Sequence, residues 1–133
     1  MISLVMDTSN SYLAVGLFQD NMCLEAFQEK GSRRQSEKAI PTLKEVLDRH
    51  HIALKDVNEM IITSGPGSYT GVRVAMTIAK TLAAVSDVRI KSVSSLAAYA
   101  GMSQALSVID ARGHKVFVGV YENGLPLRNR SWL

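Results

Sequence analysis

Two stretches of this chain carry the residue types that phosphate chemistry uses. Asp7-Thr8-Ser9 sets a carboxylate and two hydroxyls at the end of a short apolar run. Gly65-Pro66-Gly67-Ser68-Tyr69-Thr70-Gly71 is a glycine-rich loop opening a helical stretch, with Arg73 just inside it. Backbone N–H groups at a helix start favour anions. An anion or nucleotide contact through Asp7, Thr8, Ser9, Ser68, Thr70 and Arg73 is therefore one reading. The loop lacks the Gly-Lys-Ser/Thr ending of a P-loop, so Walker-type ATP binding is not supported. The other reading is structural. Glycines allow positive φ in a tight turn, Ser68 or Thr70 caps the helix, and Asp7 closes its own turn through a local side-chain bond.

Metal chemistry has little to stand on. The histidines are His50, His51 and His114. Neighbours on a helix point about 100° apart, so His50 and His51 cannot chelate one ion together. They read as surface residues near a helix end, and no metal site is expected. The single cysteine, Cys23, allows no disulfide within the chain.

These residues need elements to hold them. Ile2 to Met6 reads as a buried strand ending in the turn-rich Asp7-Thr8-Ser9-Asn10. Tyr12 to Phe18 and Cys23 to Gln28, separated by Gln19-Asp20-Asn21, complete an antiparallel meander. From Arg33-Arg34-Gln35-Ser36 a helix begins, with Ala39, Ile40, Leu43, Val46 and Leu47 at spacings of three and four. Pro41 must lie in its first turn or kink it. Met60-Ile61-Ile62-Thr63 is a fourth strand, Val72 to Val85 a second helix, Arg89 to Val93 a fifth strand, and Ser95 to Gln104 a short helix.

The second helix is apolar over too wide an arc. Val74, Ile78, Leu82 and Val85 fall on one side, and Val72, Ala75, Met76, Ala79 and Ala83 fill another nearly opposite. Together they span roughly 200°, too much for a helix with its back in water. The small residues Ala75, Ala79 and Ala83 form a shallow groove for close helix approach. Val72, Ala75, Met76, Ala79 and Ala83 are assigned to a partner chain; packing against the first helix of the same chain is the alternative.

The strand pattern then restarts. Val108-Ile109-Asp110 repeats Val5-Met6-Asp7 at an offset of 103 residues, and Val116, Val118, Gly119, Val120 and Tyr121 follow in gapless register with Leu13, Val15, Gly16, Leu17 and Phe18. Asn123-Gly124, a favourable hairpin pair, answers Asp20-Asn21. This reads as internal duplication. The expected division is a first lobe over 1–103 and an incomplete second lobe over 104–133, holding a hairpin at 106–122 and the start of a third strand.

The order β-β-β-α-β-α-β resembles the ribonuclease-H-like fold, and duplicated lobes that each start strand-Asp-turn-strand resemble the actin, hexokinase and Hsp70 (ASKHA) architecture. The expected fold is α/β: one such lobe, with a mixed five-stranded sheet and flanking helices, plus the start of a second. Net charge is +3 with scattered basic residues, and no aromatic platform supports direct nucleic-acid binding. No segment matches the roughly 18 unbroken apolar residues of a membrane helix. The N-terminus has no basic leader region, so a cytoplasmic protein is expected.

The loop Gly65 to Gly71 with Val72-Arg73 and Ala79-Lys80-Thr81-Leu82-Ala83, together with Asp7-Thr8-Ser9 and Val108-Ile109-Asp110-Ala111-Arg112, is similar to the TsaB (YeaZ-like) family of tRNA threonylcarbamoyladenosine biosynthesis, within the glycoprotease-like (M22) superfamily. The likeness covers residues 1 to about 124, and the chain is shorter than the family's two lobes. The resemblance implies a non-catalytic scaffold that docks and activates a TsaD-like paralogue, the enzyme that modifies adenosine 37 of tRNA. A TsaE-like P-loop ATPase joins the pair. It also implies a homodimer when alone, ATP or ADP only at the complex interface, and tRNA contact only indirectly. Where the paralogue holds metal with His-x-x-x-His, this chain has Gly31 and Gln35. Catalytic members of the architecture place an acid at Asp7 to orient metal-bound phosphate. A small hydrolase or phosphotransferase using Asp7 and the Gly65–Gly71 loop is thus the alternative function, and a self-associating remnant is a third.

Overall fold

A computed structural model describes the backbone of residues 1–9, 12–20, 22–30, 35–100, 105–112, 115–122 and 125–132. It describes side chains up to residue 98, apart from 35, 36, 69 and 97. The elements run β1 (Ile2–Asp7), β2 (Tyr12–Gln19), β3 (Met22–Lys30), α1 (Gln35–Arg49), β4 (Glu59–Thr63), α2 (Tyr69–Val85), β5 (Arg89–Val93), α3 (Ser95–Ala100), β6 (Ala105–Arg112), β7 (Lys115–Glu122) and β8 (Leu125–Trp132).

Period-two alternation decides which face of each strand is covered. Leu4 and Met6 of β1, Leu13, Val15 and Leu17 of β2, and Met60 and Ile62 of β4 are all buried in one cluster. The sheet order is β3-β2-β1-β4-β5, with β1–β2 and β2–β3 antiparallel and β1–β4 and β4–β5 parallel. This is the expected mixed five-stranded sheet. Glu59 stitches three of its strands: Ser3 Oγ donates to Oε1 at 2.8 Å, and Lys91 Nζ approaches Oε2 at 2.9 Å. The lysine contact, then the serine bond, holds the Glu59 carboxyl below its usual range.

Two helices cover the face that carries Leu4 and Met6. Ala39, Leu43, Val46 and Leu47 of α1 are buried at helical spacing, and α1 lies against β2. Ile40, grouped with them by sequence, is instead 53% exposed. Pro41 falls in the second turn of α1, because the helix starts at Gln35. Its ring leaves the Glu37 carbonyl without its helical donor. The second helix, α2, lies on β4, β5 and β1 and also touches α1. Among the described residues, no helix is long and apolar enough to cross a membrane.

Past α3, strands β6, β7 and β8 form a separate antiparallel sheet. The third strand of this sheet is described over eight residues, Leu125–Trp132. The strand order repeats that of β1 to β3, but the gapless register does not. Asp7 pairs with Ala14, so an offset of 103 would pair Asp110 with Phe117; instead Asp110 pairs with Val116. A bulge between Asp110 and Arg112 accompanies the one-residue difference. The turn Asn123-Gly124 lies outside the described residues.

Candidate functional site

Strand order brings the two chemistry-bearing stretches together. Because β1 and β4 are parallel neighbours, Asp7 and Thr63 end side by side, and the glycine-rich loop starts where the β1 exit turn begins. Antiparallel pairing on one flank of β1 and parallel pairing on the other makes this a point where connections diverge, the usual place for a crevice in such sheets.

At this point the polar groups bond to one another. Asp7 Oδ1 accepts from Ser9 N at 2.9 Å, from Ser9 Oγ at 2.6 Å and from Thr63 Oγ1 at 2.6 Å. Thr8 Oγ1 donates to the Gly71 carbonyl at 2.5 Å. Ser95 Oγ donates to Ser9 Oγ at 3.0 Å, and Ser95 N donates to the Gly65 carbonyl at 2.9 Å. Thr8 and Ser95 are fully buried and Ser9 is 2% exposed. Burial without a partner would cost each group about 1–3 kcal/mol, which these bonds avoid.

The glycines are required by close approach. A Cβ on Gly67 would sit 2.3 Å from the Ser9 carbonyl oxygen, and one on Gly71 would sit 1.8 Å from that of Thr8. The loop is thus clamped on the β1 exit turn, with Ser68 N donating to the Ser9 carbonyl at 2.7 Å. Ser68 is the N-cap of α2, its hydroxyl accepting from Gly71 N at 3.2 Å. Of the two capping residues considered, Ser68 fills the role, while Thr70 and Arg73 are exposed on the first turns of α2.

The six candidate contact residues therefore divide. Asp7 and Ser9 bond to each other and, like Thr8, to the neighbouring elements; Ser68 bonds to Ser9 and Gly71 while remaining exposed, and Thr70 and Arg73 are exposed on α2. Sequence reasoning missed Thr63 and Ser95, which complete the network. For Thr63 the available signal was a hydroxyl at the carboxyl end of a strand, followed directly by a turn; Ser95, the first residue of α3, offered only its place at a helix start.

The assignment of Ala75 and Ala79 to a partner surface is corrected. Both are fully buried in the chain's own core, and Met76 and Ala83 pack partly against it. With α1 and α2 on one face of the sheet, α2 needs two apolar sides, one for the strands and one toward α1. Val72 is half-buried, and Val85, expected inside, is 72% exposed.

A second polar cluster ties β3 to the end of α1. Arg49 reaches Glu25 through Nε at 3.1 Å and Nη2 at 2.5 Å, and His50 Nε2 lies 2.9 Å from Glu25 Oε1. The Arg49 hydrogen bond is the main cause that lowers the Glu25 carboxyl to about 2. His51 is exposed with φ 54°. Among the described residues no three of His, Cys, Asp or Glu gather as a metal site would require. His114, Gly31 and the side chains of Gln35 and Asp110 lie outside the described residues.

Comparison with known proteins gives this arrangement a family. Residues 28–127 match the family model described as TsaD, tRNA N6-adenosine threonylcarbamoyltransferase. The chain is 34% identical to the tRNA threonylcarbamoyladenosine biosynthesis protein TsaB of Bacillus subtilis (strain 168), over 94% of this chain and 58% of the relative. It is 31% identical to TsaB of Escherichia coli (strain K12), over 92% of this chain and 57% of the relative. The structure of YeaZ from Pseudomonas aeruginosa superposes with a TM-score of 0.88 at 27% identity, covering 98% of this chain and 67% of the other. The chain spans under three-fifths of the length of these two sequence relatives. Its fold is an actin/Hsp70-like lobe with the start of a second sheet, and the chain belongs to the TsaD family of tRNA N6-adenosine threonylcarbamoyltransferases, as a TsaB/YeaZ-like member.

Proposed function

We propose that the chain is a non-catalytic scaffold for N6-threonylcarbamoyladenosine formation at tRNA position 37, docking and activating a TsaD-like catalytic paralogue. One observation carries this reading beyond the family. Around the half-buried Asp7, where a catalytic lobe would handle phosphate, the hydroxyls are buried and bonded inward: Ser9 and Thr63 to Asp7, Thr8 to Gly71, Ser95 to Ser9. A catalytic group must reach substrate, and these hydroxyls serve the fold.

Docking in this reading uses the outer side of the α1–α2 pair, where Ile40 is exposed and Val72 and Met76 are half-buried. A TsaE-like P-loop ATPase and ATP or ADP at the complex interface belong to the same reading, as does self-association of the chain alone. The test is calorimetric titration of the chain into a TsaD-family protein, beside a tRNA threonylcarbamoylation assay. The chain alone is expected to transfer nothing, and its addition to accelerate the paralogue. Met76→Glu should weaken binding at least about tenfold, since desolvating an unpaired charge costs ~2 kcal/mol or more. Turnover of ATP or transfer by the chain alone would favour the hydrolase or phosphotransferase reading and overturn the scaffold.

A further inference from the structure

Helix α3 is described over six residues, Ser95–Ala100, a length that is marginal for an isolated helix in water. Leu96 is its only apolar side chain among the described residues that is buried. Yet α3 lies against β6 and β7, so the second sheet meets the first lobe through it. What fixes its start is polar. Ser64 N donates to the Val93 carbonyl and Ser95 N to the Gly65 carbonyl, each at 2.9 Å, and Ser95 Oγ donates to Ser9 Oγ at 3.0 Å.

The direction of that last bond is set by chemistry. A hydroxyl has one proton to donate, and Ser9 Oγ donates it to Asp7 Oδ1 at 2.6 Å. Its lone pairs then face Ser95, which must donate. The same residue, through its carbonyl, receives Ser68 N of the glycine loop at 2.7 Å. Ser9 is thus bonded at once to the β1 exit turn, the loop that opens α2, and the first residue of α3.

We propose that Ser9 is the latch that couples the glycine-rich loop to α3, and through α3 holds the second sheet against the first lobe. The inference is independent of the scaffold function. Displacement of the loop, whatever binds there, is then transmitted to β6 and β7.

Amide hydrogen exchange on the full chain tests this, with Ser9→Ala, Ser95→Ala and the double variant. Ser9→Ala removes one hydroxyl, which takes the acceptor from the buried Ser95 hydroxyl and one donor from the half-buried Asp7, so exchange at Ser95, Ala98, β6 and β7 should quicken about tenfold. Amides of β1 and β4 should change by less than about twofold. Ser95→Ala, which leaves the Asp7 bond intact, should produce the same pattern more weakly, and the double variant should fall short of the product of the two. Uniform acceleration throughout the chain would make Ser9 a general stabiliser and overturn the latch. Acceleration limited to residues 64–71, with α3, β6 and β7 unchanged, would also overturn it. If Ser9→Ala does not fold, Ser95→Ala decides alone: unchanged exchange in β6 and β7 refutes the proposal.

Discussion

Replacing Gly71 by alanine separates two opposed expectations. Gly71 lies in the first turn of α2, and on helix propensity alone alanine would stabilise by about 1 kcal/mol. The tertiary contact argues the other way. The added Cβ would lie 1.8 Å from the Thr8 carbonyl oxygen and 2.9 Å from its carbon, both backbone atoms in a buried turn. Real Cβ atoms stay beyond 3.0 Å, so the loop must retreat by more than an ångström. That retreat breaks the Thr8 Oγ1 bond to the Gly71 carbonyl and loosens the Ser68 cap. Overpacking costs about 1–3 kcal/mol and an orphaned buried hydroxyl another ~1–3 kcal/mol. Offset by propensity, the net loss is about 1–5 kcal/mol, centred on ~3 kcal/mol, or a fall in Tm of roughly 10 °C. Thermal melts followed by circular dichroism measure it. Thr77→Ala, on the exposed side of α2, is the control and should leave Tm unchanged or slightly higher. A Gly71→Ala melt equal to or above the parent would refute the clamped loop.

Ala79→Arg should destabilise the chain without any partner, because Ala79 is fully buried and a stranded interior charge costs about 3–5 kcal/mol. Lys80→Glu, on the exposed side, should shift stability by less than ~0.5 kcal/mol; urea titrations of both variants check this. The Glu25 carboxyl has a folded-state value of about 2 against an ordinary 4.5, so its stabilising effect is present above 4.5 and is lost as pH falls toward 2. The gap in urea midpoint between parent and Glu25→Gln should therefore be full near neutrality and shrink below about pH 4. A gap constant down to pH 2 would contradict the Arg49 pairing. The purified chain, with Gly31 and Gln35 in place of a His-x-x-x-His, should carry no stoichiometric zinc or iron by elemental analysis after dialysis.

What the amino-acid sequence determined was local structure. Apolar runs at Ile2 to Met6, Tyr12 to Phe18 and Met60 to Ile62 marked strands, and the three-four spacing of Ala39, Leu43, Val46 and Leu47 marked the covered face of α1. The helical period of 3.6 is written into neighbouring residues, whereas Val5 and Ile61 are as apolar as their buried neighbours, so the covered strand faces were not. The sequence also marked Gly65 to Gly71 as a special turn.

Which neighbour does the burying was decided only by the tertiary structure. The wide apolar arc of α2 called for two covering surfaces, but no periodicity tells α1 of the same chain from a foreign helix. Only the placement of α1 and α2 on one sheet face encloses Ala75 and Ala79. The polar network escaped for a related reason. Asp7 meets Thr63 across 56 residues and Ser9 meets Ser95 across 86, and both contacts exist because β1, β4 and β5 lie adjacent. Gly71 shows the difference in one residue: its flexibility is legible from its type, whereas the Thr8 carbonyl that forbids a methyl group there arrives only when β1 docks beside β4.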